Sequence, residues 1–289
     1  MVNQIKNVQG ERLDFTFHPG SPGATQLVVI GHGVTGHKDR PFLVALAEGL
    51  AGAGIPALRV SWSGNAGSEG RFADCTISKE VADLGAVLDA CAGYAVTYVG
   101  HSMGGAVGVL RASPDRRIRR LISLAGMVNT RAFAEHHFGA LTPGRDLMWG
   151  KPGCVLSPAY MDDLRRIGSV VGQAAEIAVP WLLVHGNADT LVPLQDSRDA
   201  LARARGPTEL VELDGCDHVW EPGFTPRMVA TVVAWCVKTE VAGTVLPAVA
   251  RRLAEVPEET AIARERLPPP DMSWQPELIS RRLCSPARV

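Results

Sequence analysis

Residues 99–105 read Val99-Gly100-His101-Ser102-Met103-Gly104-Gly105. The preceding residues 95–99 are rich in β-branched and aromatic side chains, which predicts a buried strand. The following residues 103–112 are mostly small and tolerate helix, so the pattern predicts a strand, a sharp turn and a helix. A serine in the middle of G-x-S-x-G is held in strained backbone at the apex of such a turn, with its hydroxyl exposed. A glycine-rich turn with a surface serine gives the same local pattern, so the rest of the chain must decide.

Strands and helices alternate on both sides of this turn. Continuous apolar runs, typical of strands buried on both faces, and apolar residues at helical spacing follow one another along the chain. The predicted strands are 26–30, 55–60, 95–99, 118–124, 181–184 and 209–213, and the predicted helices begin near Asp39 and Pro41, Ile77, Met103 and Thr225. This order predicts an α/β fold, with a mostly parallel twisted sheet and helices on both faces. Residues 2–17 alternate around Gly10 and predict a half-exposed hairpin at a sheet edge.

A serine hydroxyl needs a base to become a nucleophile, and His218 is the predicted base. It lies in the loop between the last strand and the last helix, which reaches the carboxyl edge of the sheet. The other seven histidines fit less well, because they belong to the edge hairpin, the first glycine loop, the residue before the serine, a strand end or the 128–178 region. These are His18, His32, His37, His101, His185, His136 and His137.

The base needs a carboxylate partner, and Asp189 directly follows the strand at 181–184. Asp196 is predicted to lie in the next helix, and Asp217 is too close in sequence to His218 to turn back to its ring. A turn or helix-capping aspartate is the alternative interpretation of Asp189.

Two backbone N–H groups are needed to stabilise an oxyanion. Met103, which follows the serine, supplies one, and Val34 in the glycine loop after the first buried strand is predicted to supply the other, with Thr35 next. The spacing Gly31-x-Gly33-x-x-Gly36 also fits a dinucleotide site, but no acidic residue ends the second strand, where residues 59–61 read Arg-Val-Ser. We therefore predict no cofactor and no metal.

The composition excludes several classes of protein. The net charge of −1 provides no overall electrostatic attraction to nucleic acid or to an anionic membrane. No apolar stretch approaches the length of a membrane span, and the start has no apolar signal core. Six scattered cysteines without a C-x-x-C pair predict a reducing cytoplasm. Residues 116–120 read Arg-Arg-Ile-Arg-Arg, which is either a nucleic-acid contact or, as we prefer, a solvated loop running into an alternating strand.

The domain prediction is one α/β domain over residues 1–240 with an inserted cap at 128–178, followed by an extension at 241–289. The 128–178 region is aromatic-rich and longer than an ordinary connection between two strands, which favours a cap over the site. An ordinary helical connection is the alternative. The extension is predicted to be helical or loosely ordered.

The chain order Ser102, Asp189, His218 is that of the α/β-hydrolases. Residues 10–240 resemble that superfamily, and within it the cinnamoyl/feruloyl-esterase and serine-aminopeptidase-like branch, through residues 36–39 (Gly-His-Lys-Asp) and 67–72 (Gly-Ser-Glu-Gly-Arg-Phe). The resemblance implies a short cap and hydrolysis of carboxylic esters through an acyl-enzyme. Many relatives carry Asp-x-x-Gly-x-Gly where residues 61–67 read Ser-Trp-Ser-Gly-Asn-Ala-Gly, so hydrogen bonds near the serine are expected to differ.

The predicted function is therefore that of a serine hydrolase acting on small-molecule carboxylic esters, with Ser102, Asp189 and His218 as its triad. A serine peptidase, an amidase or a thioesterase would share these groups. A non-catalytic binding protein on this scaffold usually lacks a triad member, and none is missing here.

Overall fold

A computed structural model describes residues 4–239 of the chain. Its strands are β1 (Ile5–Lys6), β2 (Arg12–Leu13), β3 (Phe15–His18), β4 (Gln26–Gly31), β5 (Ala57–Val60), β6 (Ala95–His101), β7 (Ile118–Leu124), β8 (Trp181–Gly186) and β9 (Thr208–Leu213). Its helices are α1 (Pro41–Gly52), α2 (Ile77–Ala90), α3 (Met103–Ala112), α4 (Thr130–Phe138), α5 (Pro158–Ile167), α6 (Val171–Ala174), α7 (Leu194–Arg203) and α8 (Thr225–Lys238). The predicted strand 55–60 begins later, at Ala57, because Pro56 cannot donate a ladder hydrogen bond.

The main sheet has seven strands in the order β3-β5-β4-β6-β7-β8-β9. All neighbours in it pair in parallel except β3 and β5, which are antiparallel. The predicted α/β class with a mostly parallel sheet is confirmed. The carboxyl ends of β4, β6, β8 and β9 lie on one edge, so the loops that follow these strands meet there.

Strand β4 is buried on both faces of the sheet. Leu27 and Val29 pack into one apolar cluster with side chains from α2 and α3, whereas Val28 and Ile30 pack into a second cluster with side chains from α1 and α8. Because successive side chains of a strand point to opposite faces, a continuous apolar run is what two covered faces require. The helices therefore hold the sheet rigid beneath the loops at its edge.

The prediction for residues 2–17 is wrong in one respect. β1 and β2 form a separate two-stranded antiparallel sheet, and only β3 joins the main sheet as its antiparallel edge strand. The side chain of Asn7 accounts for the separation, since its amide donates to Asp83 of α2 while its oxygen accepts the N–H of Glu11. The small hairpin is thus anchored to a helix and not to the sheet edge.

The basic run at residues 116–120 is partly internal. Arg120 is fully buried in β7 and donates to Gln26, Thr97 and the carbonyl oxygen of Cys236 near the end of α8. Arg117 pairs with Asp115. These contacts give both guanidinium groups a structural role, which favours the interpretation of a loop running into a strand over that of a nucleic-acid surface. Arg120 is an exception to that interpretation, because it is buried and not solvated.

The chain leaves the sheet between β7 and β8 and forms α4, α5 and α6 before it returns. The predicted extension at 241–289 lies outside the described residues. No helix within residues 4–239 has the length and hydropathy that a bilayer crossing requires.

Candidate functional site

Ser102 lies at the sharp turn between β6 and α3. Its backbone adopts φ 55° and ψ −119°, a conformation that non-glycine residues rarely take and that is found at functional sites. A side chain at Gly100 would overlap the backbone of Gly104, and a Cβ at Gly104 would lie 2.9 Å from the carbonyl oxygen of His32. Both glycines of the G-x-S-x-G turn must therefore lack a side chain. The turn holds Ser102 at the carboxyl edge of the sheet.

Asp189 and His218 meet at the same edge. Asp189 follows β8, His218 lies between β9 and α8, and their side chains form a hydrogen bond of 2.7 Å between Nδ1 of His218 and Oδ2 of Asp189. A carboxylate only accepts, so Nδ1 carries the proton and Nε2 is left as the basic nitrogen. Asp189 therefore orients the ring of His218 and fixes its tautomer.

Further hydrogen bonds hold Asp189 in place. Its Oδ1 accepts the backbone N–H groups of Leu191 and Val192, and its Oδ2 lies 3.3 Å from Nε2 of His185. Burial opposes ionisation of this carboxyl group, but the hydrogen bonds from His185 and His218 outweigh burial and hold its pKa below the usual range. Asp189 is thus a fixed anion beside the predicted base.

His185 is a part of the site that the sequence analysis did not identify. It is fully buried at the end of β8, where its Nε2 lies 2.9 Å from the carbonyl oxygen of Val192 and its Nδ1 lies 2.7 Å from Oγ of Ser197. A carbonyl only accepts, so Nε2 carries the proton that it also presents to Asp189. A histidine directly before the loop of the predicted acid was the available signal.

His101 holds the loop that carries His218. Its Nε2 donates to the backbone oxygen of His218 over 3.0 Å, and the two rings lie 4.8 Å apart. Burial and the neighbouring His218 lower the pKa of His101 well below its ordinary value, so His101 stays neutral. His101, set aside as a candidate base because it precedes the serine, thus supports the loop of the predicted base.

The Ser102 hydroxyl and the His218 ring make no direct hydrogen bond in the described part of the chain. Both residues are buried. His101, which directly precedes Ser102 in the sequence, packs its ring against the ring of His218. Nucleophile–base bonds are often long without substrate and shorten when substrate binds. The structure thus brings the predicted base and the predicted acid together and places the serine at the same edge.

The loop after β4 lies directly against Ser102. His32 is buried there, with Nδ1 donating to the carbonyl oxygen of Gly33 over 2.8 Å and Nε2 accepting the N–H of Trp62 over 3.0 Å. Burial lowers the pKa of His32 to about 3, so the ring stays neutral and keeps both bonds. The His32 ring thereby fixes the path of the chain just before Val34.

The N–H groups of Val34 and Met103 are both available. Neither donates a hydrogen bond to any of the described residues, and Met103 is the first residue of α3, where backbone N–H groups lack helical partners. Val34 and Met103 also line one narrow cavity. Thr35, the second choice in the prediction, adopts a φ of 55° and lines the same cavity.

Gly33 allows the loop to approach the serine. A Cβ at this position would lie 2.7 Å from Cβ and 3.1 Å from Oγ of Ser102. We expect Gly33→Ala to reduce kcat for ester hydrolysis by about 10²-fold or more, because it displaces both the hydroxyl and an oxyanion donor. Gly52→Ala is the matched control, since no atom lies within 4 Å of a Cβ there. Equal kcat in the two variants would contradict this geometry.

The other candidate acids and His137 form hydrogen bonds with groups outside the candidate site. Asp196 accepts the N–H groups of Val128 and Asn129, and Asp217 accepts the N–H of Glu221, so neither reaches His218. His137 lies 2.9 Å from the carbonyl oxygen of Leu191. No cluster of His, Cys, Asp and Glu in residues 4–239 is arranged to hold a metal ion.

Solved structures with the same fold are numerous. A structure of Est1E from Butyrivibrio proteoclasticus with ferulic acid bound has a TM-score of 0.72 and 24% identity, covering 81% of this chain and 98% of that one. A monoacylglycerol lipase from Paleococcus ferrophilus has a TM-score of 0.64 and 22% identity, covering 78% and 98%. The esterase domain of a Rhodothermus marinus protein has a TM-score of 0.63 and 21% identity, covering 81% and 96%. None of the curated proteins matches the chain significantly.

The model of the alpha/beta hydrolase family matches residues 27–235. This range includes the serine turn, the loop after β4 and the loops that carry Asp189 and His218. The predicted superfamily is confirmed, and the likeness to Est1E, at 24% identity, is a likeness of fold. The chain belongs to the alpha/beta hydrolase family.

Proposed function

We propose that this protein is a serine hydrolase that cleaves small-molecule carboxylic esters through an acyl-enzyme intermediate. The observation that carries the proposal is the 2.7 Å hydrogen bond between His218 and Asp189, made at the sheet edge where Ser102 occupies a strained turn. Nucleophilic catalysis by serine needs a carboxylate that holds an imidazole in place, and an imidazole that can reach the serine hydroxyl. The esterase and lipase among the solved structures of this fold agree with the proposal.

The chemistry follows from these groups. Nε2 of His218 takes the hydroxyl proton as Oγ of Ser102 bonds to the ester carbonyl carbon, and the carbonyl oxygen becomes an oxyanion. The N–H groups of Val34 and Met103 donate to that oxyanion. When the carbon–oxygen bond to the alcohol breaks, His218 gives its proton to the leaving alcohol. It then takes a proton from water, whose oxygen attacks the acyl carbon. The bond from that carbon to Oγ of Ser102 breaks, the acid leaves, and His218 returns its proton to Oγ.

We further propose that residues 128–178 act as a cap. Met148, Ser157 and Tyr160 of this segment line the same cavity as Val34 and Met103. A segment that supplies one wall of a cavity beside the oxyanion donors can contact the acyl group and exclude water. Acyl specificity is therefore expected to depend on side chains of this segment.

The test is a substrate panel on the purified full chain. We expect hydrolysis of 4-nitrophenyl acetate and butyrate, slower or no turnover of aminoacyl arylamides, and covalent labelling by a fluorophosphonate. Faster turnover of the arylamides would favour a peptidase, and faster turnover of matched thioesters would favour a thioesterase. Failure of every ester and of the fluorophosphonate would overturn the serine hydrolase altogether.

A further inference from the structure

The acid side chain of Glu80 is buried beside the candidate site without a partner. Only 2% of the residue is exposed, its Oε2 has no hydrogen-bond partner, and Glu80 lines the cavity that Val34 and Met103 also line. Within residues 4–239 no hydrogen bond reaches its carboxyl group. Buried polar groups without partners are rare, and each one calls for an explanation.

A second unpartnered group lines the same cavity. The hydroxyl of Tyr160 in α5 is buried and has no hydrogen-bond partner among the described residues. Glu80 belongs to α2, beneath the sheet edge, whereas Tyr160 belongs to the segment 128–178. Two elements from different parts of the chain thus each contribute to the lining of one cavity a residue that has an unpartnered polar atom.

The surroundings of Glu80 favour the neutral form of its carboxyl group. Burial raises its pKa well above the ordinary value, and the charge of Asp83, three residues on, raises it further. The Asp83 carboxylate is held by the N–H of Ser63 and the side-chain amide of Asn7. A neutral carboxyl group offers one O–H donor and one carbonyl acceptor. Together with the Tyr160 hydroxyl it can both donate to and accept from a single ligand group.

The remaining walls of the cavity limit what can occupy it. Val34, Phe72, Met103 and Met148 are apolar, and the clear space is narrow. Apart from Glu80 and Tyr160, the other lining residues are polar but uncharged: Thr35, Asn65, Cys75 and Ser157. A slender unbranched chain suits this space better than a ring. An anion would meet no lysine or arginine among the described lining residues, whereas a hydroxyl group is a small neutral group that can both donate and accept.

We propose that Glu80 and Tyr160 form a subsite that hydrogen-bonds a hydroxyl group on an aliphatic acyl chain, so that ω-hydroxyacyl esters are preferred substrates. The inference rests on the proposed ester hydrolysis, because the cavity begins at the predicted oxyanion donors. Binding of the hydroxyl would supply the hydrogen-bond partners that Glu80 Oε2 and the Tyr160 hydroxyl do not find among the described residues. An alkanoyl chain would leave both unpaired, which is how a polar subsite rejects an apolar analogue.

The experiment compares pairs of 4-nitrophenyl esters over a series of chain lengths, with a terminal hydroxyl in one member and a methyl in the other. At the matching length we expect wild type to prefer the hydroxyl by about tenfold in kcat/KM, the size of one or two buried hydrogen bonds. Glu80→Gln keeps a neutral donor and acceptor and should retain the preference. Glu80→Leu should abolish it, and Tyr160→Phe should reduce it.

Stability separates recognition from a structural role. A buried carboxyl group without partners costs free energy, so Glu80→Leu is expected to melt at the same temperature as wild type or higher. A markedly lower melting temperature, with the hydroxyl preference unchanged, would assign Glu80 to structure and overturn the subsite. An ω-aminoacyl ester preferred over the hydroxyl ester would overturn it too, since Glu80 would then act as an anion.

Binding provides a readout independent of turnover. Calorimetric titration of wild type with ω-hydroxy acids should give tighter binding than the matched alkanoic acids, and Glu80→Leu should remove the difference. Equal binding of both acids to wild type would refute the subsite even if no ester is cleaved. Absence of turnover together with a retained binding difference would instead refute ester hydrolysis alone.

Discussion

Ser102→Ala is expected to lower kcat/KM for 4-nitrophenyl butyrate by about 10⁴- to 10⁶-fold, the range seen when a triad nucleophile is removed. The reason is that Oγ forms the covalent bond to the acyl carbon, and no other hydroxyl is held at the turn between β6 and α3. Alanine retains the Cβ, so the φ of 55° is neither relieved nor made worse. The variant should fold as wild type does, and any residual rate would come from the oxyanion donors.

Ser113→Ala is the matched control, because it makes the same substitution at the other end of α3. Ser113 follows the last residue of that helix, and its hydroxyl donates to Glu176 on the surface. We expect this variant to keep near-native turnover. Initial rates and melting temperatures of the two variants, measured side by side, separate loss of the nucleophile from damage to the helix.

A fluorophosphonate gives an independent measurement. Peptide mass analysis should find the adduct on Ser102 in wild type and in the Ser113 variant, and no adduct in Ser102→Ala. Retention of more than about a tenth of the wild-type rate in Ser102→Ala would contradict the proposed mechanism, since single triad losses cost far more than that.

Most strands of the main sheet were predictable because they contain runs of mainly apolar residues. The run Ile118–Leu124 and the helix Met103–Ala112 have the predicted bounds. Apolar residues predominate in strands that lie between two layers of helices, although this strand also contains two arginines and a serine. The separate sheet of β1 and β2 was not predictable. Its position depends on the bond between Asn7 and Asp83, residues 76 positions apart, and no local pattern encodes such a contact.

In the candidate site, too, some residues could be predicted from the sequence and others could not. That Ser102, Asp189 and His218 lie at one edge of the sheet was predictable, because their loops all follow the carboxyl ends of parallel strands. Their catalytic roles stay a prediction. His185 and His101 were not predictable, because each acts through a buried hydrogen bond formed only after folding. A buried histidine and a solvated histidine are identical in sequence.

Glu80 shows where the sequence offered a usable clue. It lies three residues after Ile77 and four before Leu84, on the buried stripe of α2, where a charged residue is out of place. Helical spacing alone therefore marks Glu80 as buried. Only the structure shows that its Oε2 has no partner and that the side chain borders the cavity beside Met103.

His218→Gln should cost nearly as much as loss of the serine, about 10⁴- to 10⁶-fold in kcat, with little change in KM. The imidazole carries a proton between the hydroxyl, the leaving alcohol and water, so it acts on transition states more than on bound substrate. Fluorophosphonate labelling of Ser102 should slow in parallel, because the hydroxyl is no longer activated. His136→Gln, an exposed change in α4, is the matched control.

His101→Gln tests whether His101, and not His218, accepts the proton of the Ser102 hydroxyl. His101 directly precedes Ser102, and its ring lies 4.8 Å from that of His218. Its Nε2–H is committed to the carbonyl oxygen of His218, and burial and the neighbouring His218 hold its pKa well below the ordinary value, which makes it a poor acceptor of the hydroxyl proton. We therefore expect His101→Gln to reduce labelling less than His218→Gln does, by disturbing only the loop. The reverse order would make His101 the base and would leave the His218–Asp189 bond without a catalytic role.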